Sequence, residues 1–306
     1  MLWNRAADLR VSVYMRCMSR PARRGVVPGL LVAVLVGTAG CGDEVGRGVD
    51  SRQETGASYD GPLYVEVGKP RPQDPFERVG AAGRVVRCDA FGDGYAMNDG
   101  EVYDDGPVAD SAQQALESYL AEFAYAWPQD DYAVAAEQPD RVLYTWEHSG
   151  VPKLAAVMHK GEGIDGGPVT GWFVESYARC DLAEFPAEIA EDVGVQVWKD
   201  VDGDRVATAT IQSYAGSEHC DWQQMTFLEV GGATYVGDPV AGLEGFLVGR
   251  ANPDVALPSD ARDTGYSRDG RSLWLSADKA RAYVGDPADT DHVELWPREA
   301  ERIGCA

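Results

Sequence analysis

The chain has 306 residues, with 27 Lys or Arg against 50 Asp or Glu, so its formal net charge is −23. A surface of this sign repels phosphate backbones, which argues against a nucleic-acid-binding protein. Hydrophobic residues make up 44% of the chain and aromatic residues 9%, a composition that indicates a folded core and excludes wholesale disorder. A single long apolar run excludes a protein with several membrane spans.

The first forty residues are typical of an export signal. Arg23 and Arg24 precede an apolar run of about eleven residues, Val26–Val36, which is too short for a transmembrane helix of roughly twenty residues. The run is followed by Thr38-Ala39-Gly40-Cys41, which resembles the bacterial lipobox except that Thr38 replaces the usual Leu. We therefore predict a lipoprotein signal peptide over 1–40 and lipidation of Cys41. An ordinary cleaved signal with a chance cysteine is the alternative.

The leader also affects the charge and the start of the chain. Met15 and Met18 lie ahead of a signal of normal size, so translation could start at either instead of at Met1. Residues 1–40 carry six arginines and one acid, Asp8, so their removal leaves 21 basic and 49 acidic residues and a charge of −28. Residues 41–80, rich in Gly, Asp, Ser, Arg and Pro, predict a flexible tether. A lipid anchor would then hold an acidic domain at a distance from the anionic membrane surface.

Four cysteines remain beyond the leader: Cys88, Cys180, Cys220 and Cys305. An even number in an exported chain predicts disulfides, and three pairings are open in principle. We favour Cys88–Cys180 and Cys220–Cys305, which places one bridge in each half of the chain. A metal site is disfavoured because the chain has no CxxC motif.

An α+β fold is predicted from the order of the elements, with two subdomains over 81–190 and 191–306. In the first, residues 89–106 are rich in Gly and Asp and are predicted to be a loop. A helix with Asp110 as its predicted N-cap follows, ends at Trp127-Pro128 and precedes an antiparallel meander. Its strand-like runs are 132–136, 141–147, 153–159 and 171–180, and a short helical connector follows over 181–191.

The second subdomain is predicted to consist mostly of β-hairpins and a closing meander. Runs over 195–199 and 206–214, and over 226–230 and 233–236, form two hairpin patterns. Residues 237–264 are predicted to be a loop because they contain three prolines and no strong alternation. The last strand-like runs are 272–276, 282–285 and 292–296.

One acidic turn is a candidate calcium site. The alternating carboxylates of Asp200, Asp202 and Asp204 could converge on a hard cation. However, Gly203 is in the fourth position, where an EF-hand has Gly in the sixth, and Ile211 stands where the bidentate Glu would be. The pattern favours a polar hairpin turn over a metal site.

No catalytic signature is recognisable, and no cofactor is predicted. The chain lacks G-x-S-x-G, H-E-x-x-H and a glycine-rich phosphate loop. Its histidines, His148, His159, His219 and His292, could still join distant residues in an active site, so a secreted hydrolase is the alternative function. Six tryptophans lie in strand-like or turn segments, where packing is the usual role and an exposed cluster would indicate binding: Trp146, Trp172, Trp198, Trp222, Trp274 and Trp296.

Several segments taken together resemble a family of uncharacterised actinobacterial secreted lipoproteins. The resemblance spans most of residues 85–306 and includes "RVLYTWEHSGVPKLAAVMHK" (141–160), "GWFVESYARCDLAEFP" (171–186), "SEHCDWQQMTFLEV" (217–230), "TGYSRDGRSLWLSADKARAYV" (264–284) and "ELWPR" (294–298). It implies export, lipidation and paired cysteines, but no established activity.

We therefore expect a lipid-anchored protein on the extracytoplasmic face of the cell membrane. The anchor, the tether and the lack of a catalytic signature favour a binding or cell-envelope interaction module over an enzyme. Its partners would be the membrane, through the anchor, and a cell-wall, peptide or protein ligand.

Overall fold

A computed structural model of the chain describes residues 58–66, 72–97, 109–124, 127–162 and 170–304. The predicted leader, Cys41 and the first part of the predicted tether lie outside these ranges, as does Cys305. Among the described helices, none combines the length and the apolar character needed to cross a membrane.

The first sheet contains five antiparallel strands in the order β1-β5-β4-β3-β2. The chain runs as a meander through β2 to β5, and β1 then pairs with the outer side of β5. The strands are β1 (Phe91–Ala96), β2 (Ala133–Gln138), β3 (Arg141–His148), β4 (Val151–Glu162) and β5 (Thr170–Cys180).

Two helices cover opposite faces of this sheet. Helix α1 (Gly80–Val85) begins beside Ser176, whereas Tyr119 of α2 (Ala112–Glu122) packs against Tyr177, with 6.1 Å between ring centroids. Neighbouring strand residues point to opposite faces, so the two helices enclose the sheet. This explains why five consecutive residues of β4, Leu154–Met158, are all buried, as expected of a strand covered on both sides.

The second and third sheets pack on each other and share a core. The second has the order β6-β7-β8-β9 and the third β10-β14-β13-β12-β11, all antiparallel. Trp198, Leu228, Tyr235 and Leu273 are among the residues buried between them. The strands are β6 (Val195–Val197), β7 (Ile211–Ala215), β8 (Thr226–Val230), β9 (Ala233–Gly237), β10 (Asn252–Val255), β11 (Arg262–Arg268), β12 (Arg271–Leu275), β13 (Arg281–Gly285) and β14 (Val293–Pro297).

One close approach in this core requires a glycine. A Cβ atom added at Gly237, the last residue of β9, would lie 2.6 Å from the Trp296 ring of β14. The absent side chain lets the two sheets meet at this point. Helix α3 (Ala187–Asp192) and four short 3-10 helices complete the described elements: Phe76–Val79, Leu182–Glu184, Glu218–Cys220 and Glu244–Phe246.

The fold class is mainly antiparallel β, with a few short helices, rather than the predicted α+β class. The helix-then-meander order of the first half and the hairpins and meander of the second half are present. The helices are short: α2 has 11 residues, and α1 and α3 have 6 each. Helix α2 is capped one residue later than predicted, because Ser111 Oγ accepts from the Gln114 amide and Gln114 Oε1 accepts from the Asp110 amide.

Two segments predicted to be loops contain strands. The Gly/Asp-rich segment after Cys88 contains β1, and residues 237–264 contain β10 and the start of β11. All three strands lie at sheet edges. Strand β10 includes Pro253, which an edge strand tolerates because one side of its backbone needs no partner.

The part of the predicted tether that the structure describes is packed at several points. Leu63 is 2% exposed, and Tyr59 donates its backbone amide to the Ala135 carbonyl of β2. Val79, in the short 3-10 helix, is also buried in the core of the first sheet.

The Cys88–Cys180 disulfide predicted from the cysteine count is present. It links the segment before β1 to the end of β5 across 92 residues. Cys220 is also disulfide-bonded. Its predicted partner Cys305 lies outside the described residues, so that pairing stays a prediction.

A buried carboxylate joins the two predicted subdomains. Asp181, 1% exposed, accepts hydrogen bonds from the Ala183 amide, at 2.9 Å, and from the Thr208 amide and hydroxyl, at 2.8 and 2.7 Å. From the same segment as Thr208, Arg205 donates to the backbone carbonyls of Leu182 and Phe185. These bonds fix residues 181–185 and therefore the start of α3.

Candidate functional site

A cleft of about 290 Å³ lies where the segment after α2 meets α3. Two tryptophans, two prolines and an isoleucine supply its apolar lining, and four carboxylates and a glutamine supply the polar groups. The lining residues are Trp127, Pro128, Gln129, Asp130, Asp131, Trp146, Pro186, Glu188, Ile189 and Asp192. Ligand sites are usually clefts that combine apolar and aromatic side chains with placed polar groups. This cleft has both kinds, although polar side chains make up five of its ten lining residues.

Trp127 forms a rigid part of the lining. Its ring packs edge-on against Tyr177, with 4.7 Å between centroids, and lies 5.5 Å from Tyr119. The Gln129 side chain donates to the backbone carbonyls of Trp127, at 2.8 Å, and Ala124. The indole is therefore held in place before any ligand binds.

Trp146, on β3, is held by stacking. Its ring is nearly parallel to that of Phe185, with 5.4 Å between centroids, and to that of His148. Phe185 is 1% exposed and anchored in the core of the first sheet, whereas Trp146 is only partly buried. The indole thus presents part of its surface to the cleft on a fixed support.

The third part of the lining, α3, is held by the segment that follows the disulfide. The Glu184 carboxylate accepts from the Asp89 and Ala90 amides and from Lys153 Nζ, at 2.7 Å. Together with the Asp181 bonds, these contacts place Pro186, Glu188, Ile189 and Asp192 at the cleft. The cleft is therefore built on fixed elements.

Among the residues that the structure describes, the charged side chains that line the cleft are all acidic. They are Asp130, Asp131, Glu188 and Asp192, and no described Lys, Arg or His lines it. Within the described ranges, none of these four carboxylates forms an ion pair or accepts a side-chain hydrogen bond. Asp130 contributes, after burial, to raising the Tyr132 pKa above its ordinary value. Asp131 has a φ of +63°, a left-handed backbone conformation that Asp tolerates in turns.

The sequence predicts packing for Trp146, as for five other tryptophans, and indicates no site at Trp127 or at the four acids of the cleft. Of those six, only Trp146 and Trp296 line one of the two clefts described here. The available signal was the composition of "WPQDD" at 127–131, where aromatic, turn and acidic residues are adjacent.

The histidines are dispersed. His148 stacks on Trp146, and His292 Nδ1 lies 2.8 Å from Asp254 Oδ1 on the exposed surface, outside both clefts. The hydrogen bond to Asp254 raises the pKa of His292 above its ordinary value. Among the described residues, no histidine is hydrogen-bonded to a serine.

His159 belongs to a charged cluster on the first sheet. Its ring nitrogens lie 3.8 Å from Asp140 and 3.9 Å from Glu175, beyond hydrogen-bond distance. Glu175, 4% exposed, instead receives two hydrogen bonds from Arg141, at 2.8 and 3.0 Å. Burial lowers the pKa of His159 below its ordinary value. This cluster is a buried ion pair that braces the sheet, and it does not line the cleft.

The acidic turn proposed for calcium uses its first carboxylate structurally. Asp200 Oδ1 accepts from the backbone amides of Asp202 and Asp204, at 3.0 Å each, and so closes the turn. Among the described residues, only Cys88, Cys180 and Glu184 bring three metal-ligand atoms within 4.8 Å of one another, and both sulfurs are in the disulfide. The oxygens of Asp200, Asp202 and Asp204 do not meet that distance.

A second cleft, of about 390 Å³, lies beside β10 and β14. It contains both signs of charge, because Arg250 lines it together with Asp238, Glu244 and Glu294. Glu294 is paired with Arg271, at 2.7 Å, and accepts from Trp296 Nε1, at 2.9 Å. Although this cleft is larger, its Glu294 carboxylate and Trp296 indole are already hydrogen-bonded to each other.

No family model, no curated protein and no solved structure matches the chain.

Proposed function

We propose that this is a lipid-anchored extracytoplasmic protein that binds a ligand of the cell envelope through the cleft of Trp127 and Trp146. The proposal joins the leader pattern ending at Cys41 with a non-catalytic site. The observation that carries it is a cleft with two indoles held in place by neighbouring rings and hydrogen bonds. Preorganised aromatic surface of this kind is used for binding, because little side-chain entropy is lost when a ligand docks.

The anchor is tested by lipid labelling. We expect the full chain, expressed in a bacterium with lipoprotein processing, to incorporate radiolabelled palmitate, and the Cys41→Ala variant to lose essentially all of the label. The thioether at Cys41 is the attachment point in this proposal, and no other cysteine can replace it at the signal cleavage site. Equal labelling of the two proteins would contradict the anchor.

The cleft is tested by binding of the full chain, purified in neutral detergent, to two probes: isolated bacterial cell wall and an immobilised random peptide library. We expect retention on at least one probe, and we expect Trp146→Leu to reduce it by about tenfold, since truncation of an aromatic anchor typically costs more than about 1 kcal/mol and tenfold corresponds to about 1.4 kcal/mol. Leucine keeps an apolar side chain against Phe185 but removes the indole face.

Trp222→Leu is the matched control. Trp222 is also partly buried, but it packs in the separate cluster around Phe227 and does not line the cleft. It should leave retention unchanged. Equal loss in the two variants, or no retention of the unmodified chain on either probe, would contradict a ligand site at the cleft. Thermal unfolding of both variants checks that the fold is kept.

A further inference from the structure

If the cleft is the ligand site proposed above, its chemistry selects the ligand. We infer that it binds a basic side chain of a peptide segment, an ammonium or guanidinium group on an apolar stem. The stem would lie against the partly exposed indole of Trp146, and the charge would face Asp130, Asp131, Glu188 and Asp192.

Charge complementarity is the first reason. Four carboxylates surround a small volume, and within the described residues none is neutralised by an ion pair. The described basic group whose charge acts on Glu188 is Arg205, but its guanidinium donates to the carbonyls of Leu182 and Phe185 and does not line the cleft. A bound cation would relieve the repulsion among these like charges.

The aromatic lining is the second reason. The face of a tryptophan ring carries negative potential and attracts ammonium and guanidinium groups, with an attraction that grows as the cation is desolvated. Trp146 is only partly buried and offers the exposed part of its indole for such a contact, whereas Trp127 is 5% exposed. The aliphatic stem of Lys or Arg packs well on an exposed indole. An acidic ligand would meet repulsion from every charged residue of the lining.

A metal ion fits the cleft poorly. Hard cations need several oxygens that converge on one point at 2.0–2.6 Å. The four carboxylates do not include three oxygens within 4.8 Å of one another. Dispersed acids around an apolar floor suit an organic cation, whose charge is spread and whose stem also requires contact.

The size of the cleft favours one side chain over a larger ligand. About 290 Å³ is at the lower end of small-molecule sites, which span roughly 300–1,000 Å³. Most of a basic side chain could enter, while the peptide backbone would remain at the rim.

The test compares three fluorescently labelled capped peptides that differ at one central residue, Lys, norleucine or Glu, by anisotropy with the full chain in neutral detergent. We expect the Lys peptide to bind about tenfold more tightly than the norleucine peptide, and the Glu peptide to bind more weakly still. Raising the salt from about 0.01 M to about 1 M shortens the Debye length from roughly 30 to 3 Å and should remove most of the Lys advantage.

The paired variant Glu188→Gln/Asp192→Asn should weaken the Lys peptide by about fivefold to tenfold and leave the norleucine peptide unchanged, because exposed ion pairs contribute modestly but cumulatively. Both residues are exposed, so the substitutions should leave the fold intact. Glu191→Gln is the matched control, since this exposed acid is on the same helix but does not line the cleft. It should leave Lys binding within about twofold of the unmodified chain.

The outcomes separate this inference from the proposed function. Equal binding of the Lys and norleucine peptides, together with loss of both in Trp146→Leu, would overturn the cation selectivity and keep the ligand site. A Lys preference that Glu188→Gln/Asp192→Asn leaves unchanged would also overturn the inference, because residues other than these two would then recognise the positive charge of the peptide. If Trp146→Leu affects no probe, the proposed function itself fails.

Discussion

Removal of the Cys88–Cys180 disulfide, by Cys88→Ala/Cys180→Ala, is expected to lower the free energy of unfolding by about 4 kcal/mol. The bridge closes a segment of 92 residues that contains β1 to β5 and α2, so its loss releases a large unfolded-state loop. Cys180 is fully buried, and alanine leaves only a small void there. Urea denaturation of the full chain, followed by tryptophan fluorescence, measures the change.

Reduction provides the control for the disulfide. A reductant should shift the unfolding midpoint of the unmodified chain at least as far as the double substitution, because it also opens the bridge at Cys220. An unchanged midpoint in Cys88→Ala/Cys180→Ala would show that the bridge contributes little. The functional consequence should be weaker ligand binding, because Cys180 immediately precedes the residues that position α3 at the cleft.

Replacement of Asp181 by alanine is expected to cost about 3 kcal/mol, since it leaves two buried amides and one hydroxyl without their charged acceptor. The loss should also separate the predicted subdomains locally, because Asp181 follows β5 while Thr208 precedes β7. Hydrogen exchange of the Ala183 and Thr208 amides, together with urea denaturation, measures both effects.

Thr208→Val isolates one part of this interaction. It removes the hydroxyl that donates to Asp181 Oδ2 but keeps the backbone amide bond to Oδ1. We expect a loss of about 1 kcal/mol, near the value of a single hydrogen bond. If Asp181→Ala costs no more than Thr208→Val, the carboxylate does not join the two halves as the structure indicates.

These two predictions concern the same region of the molecule. The disulfide ends at Cys180, Asp181 follows it, Glu184 accepts from the segment before β1, and α3 then reaches the cleft. The strongest local constraints in the described chain therefore converge on the part that carries Glu188 and Asp192. A binding site whose charged side chains stay exposed needs this support, because surrounding contacts must hold the elements that carry them in place.

The central strands were predictable from the sequence because they are buried. The runs at 141–147, 153–159 and 171–180 correspond to β3, β4 and β5, and the closing runs correspond to β12, β13 and β14. A buried strand must be apolar on at least one face. Its residues therefore show a run or an alternation of apolar side chains that can be recognised in the sequence. The Cys88–Cys180 pairing was favoured among the three that four cysteines allow, because it places one bridge in each half of the chain.

The strands that were missed, β1, β10 and β11, lie at sheet edges. The residues of β10 are mostly exposed, and β11 contains Gly265 at a φ of +77°. An edge strand is defined by backbone hydrogen bonds to its one neighbour, and these bonds require no apolar alternation. The edge strands β2, β6 and β9 were predicted because each contains an apolar run or alternation, whereas β1, β10 and β11 contain Gly, Pro or Asp and resemble loops.

The cleft was not predictable from the sequence, because its residues come from three separate segments. Trp127 and Asp130 follow α2, Trp146 is on β3, and Glu188 and Asp192 are on α3. Each segment by itself reads as packing or as a solvated acidic turn. The leader pattern, the acidic charge, the central strands and the even cysteine count follow from composition and periodicity along the chain. The meeting of tryptophans and carboxylates in the cleft depends instead on the tertiary fold, because buried contacts between distant residues, such as Asp181 with Thr208, place one segment beside another.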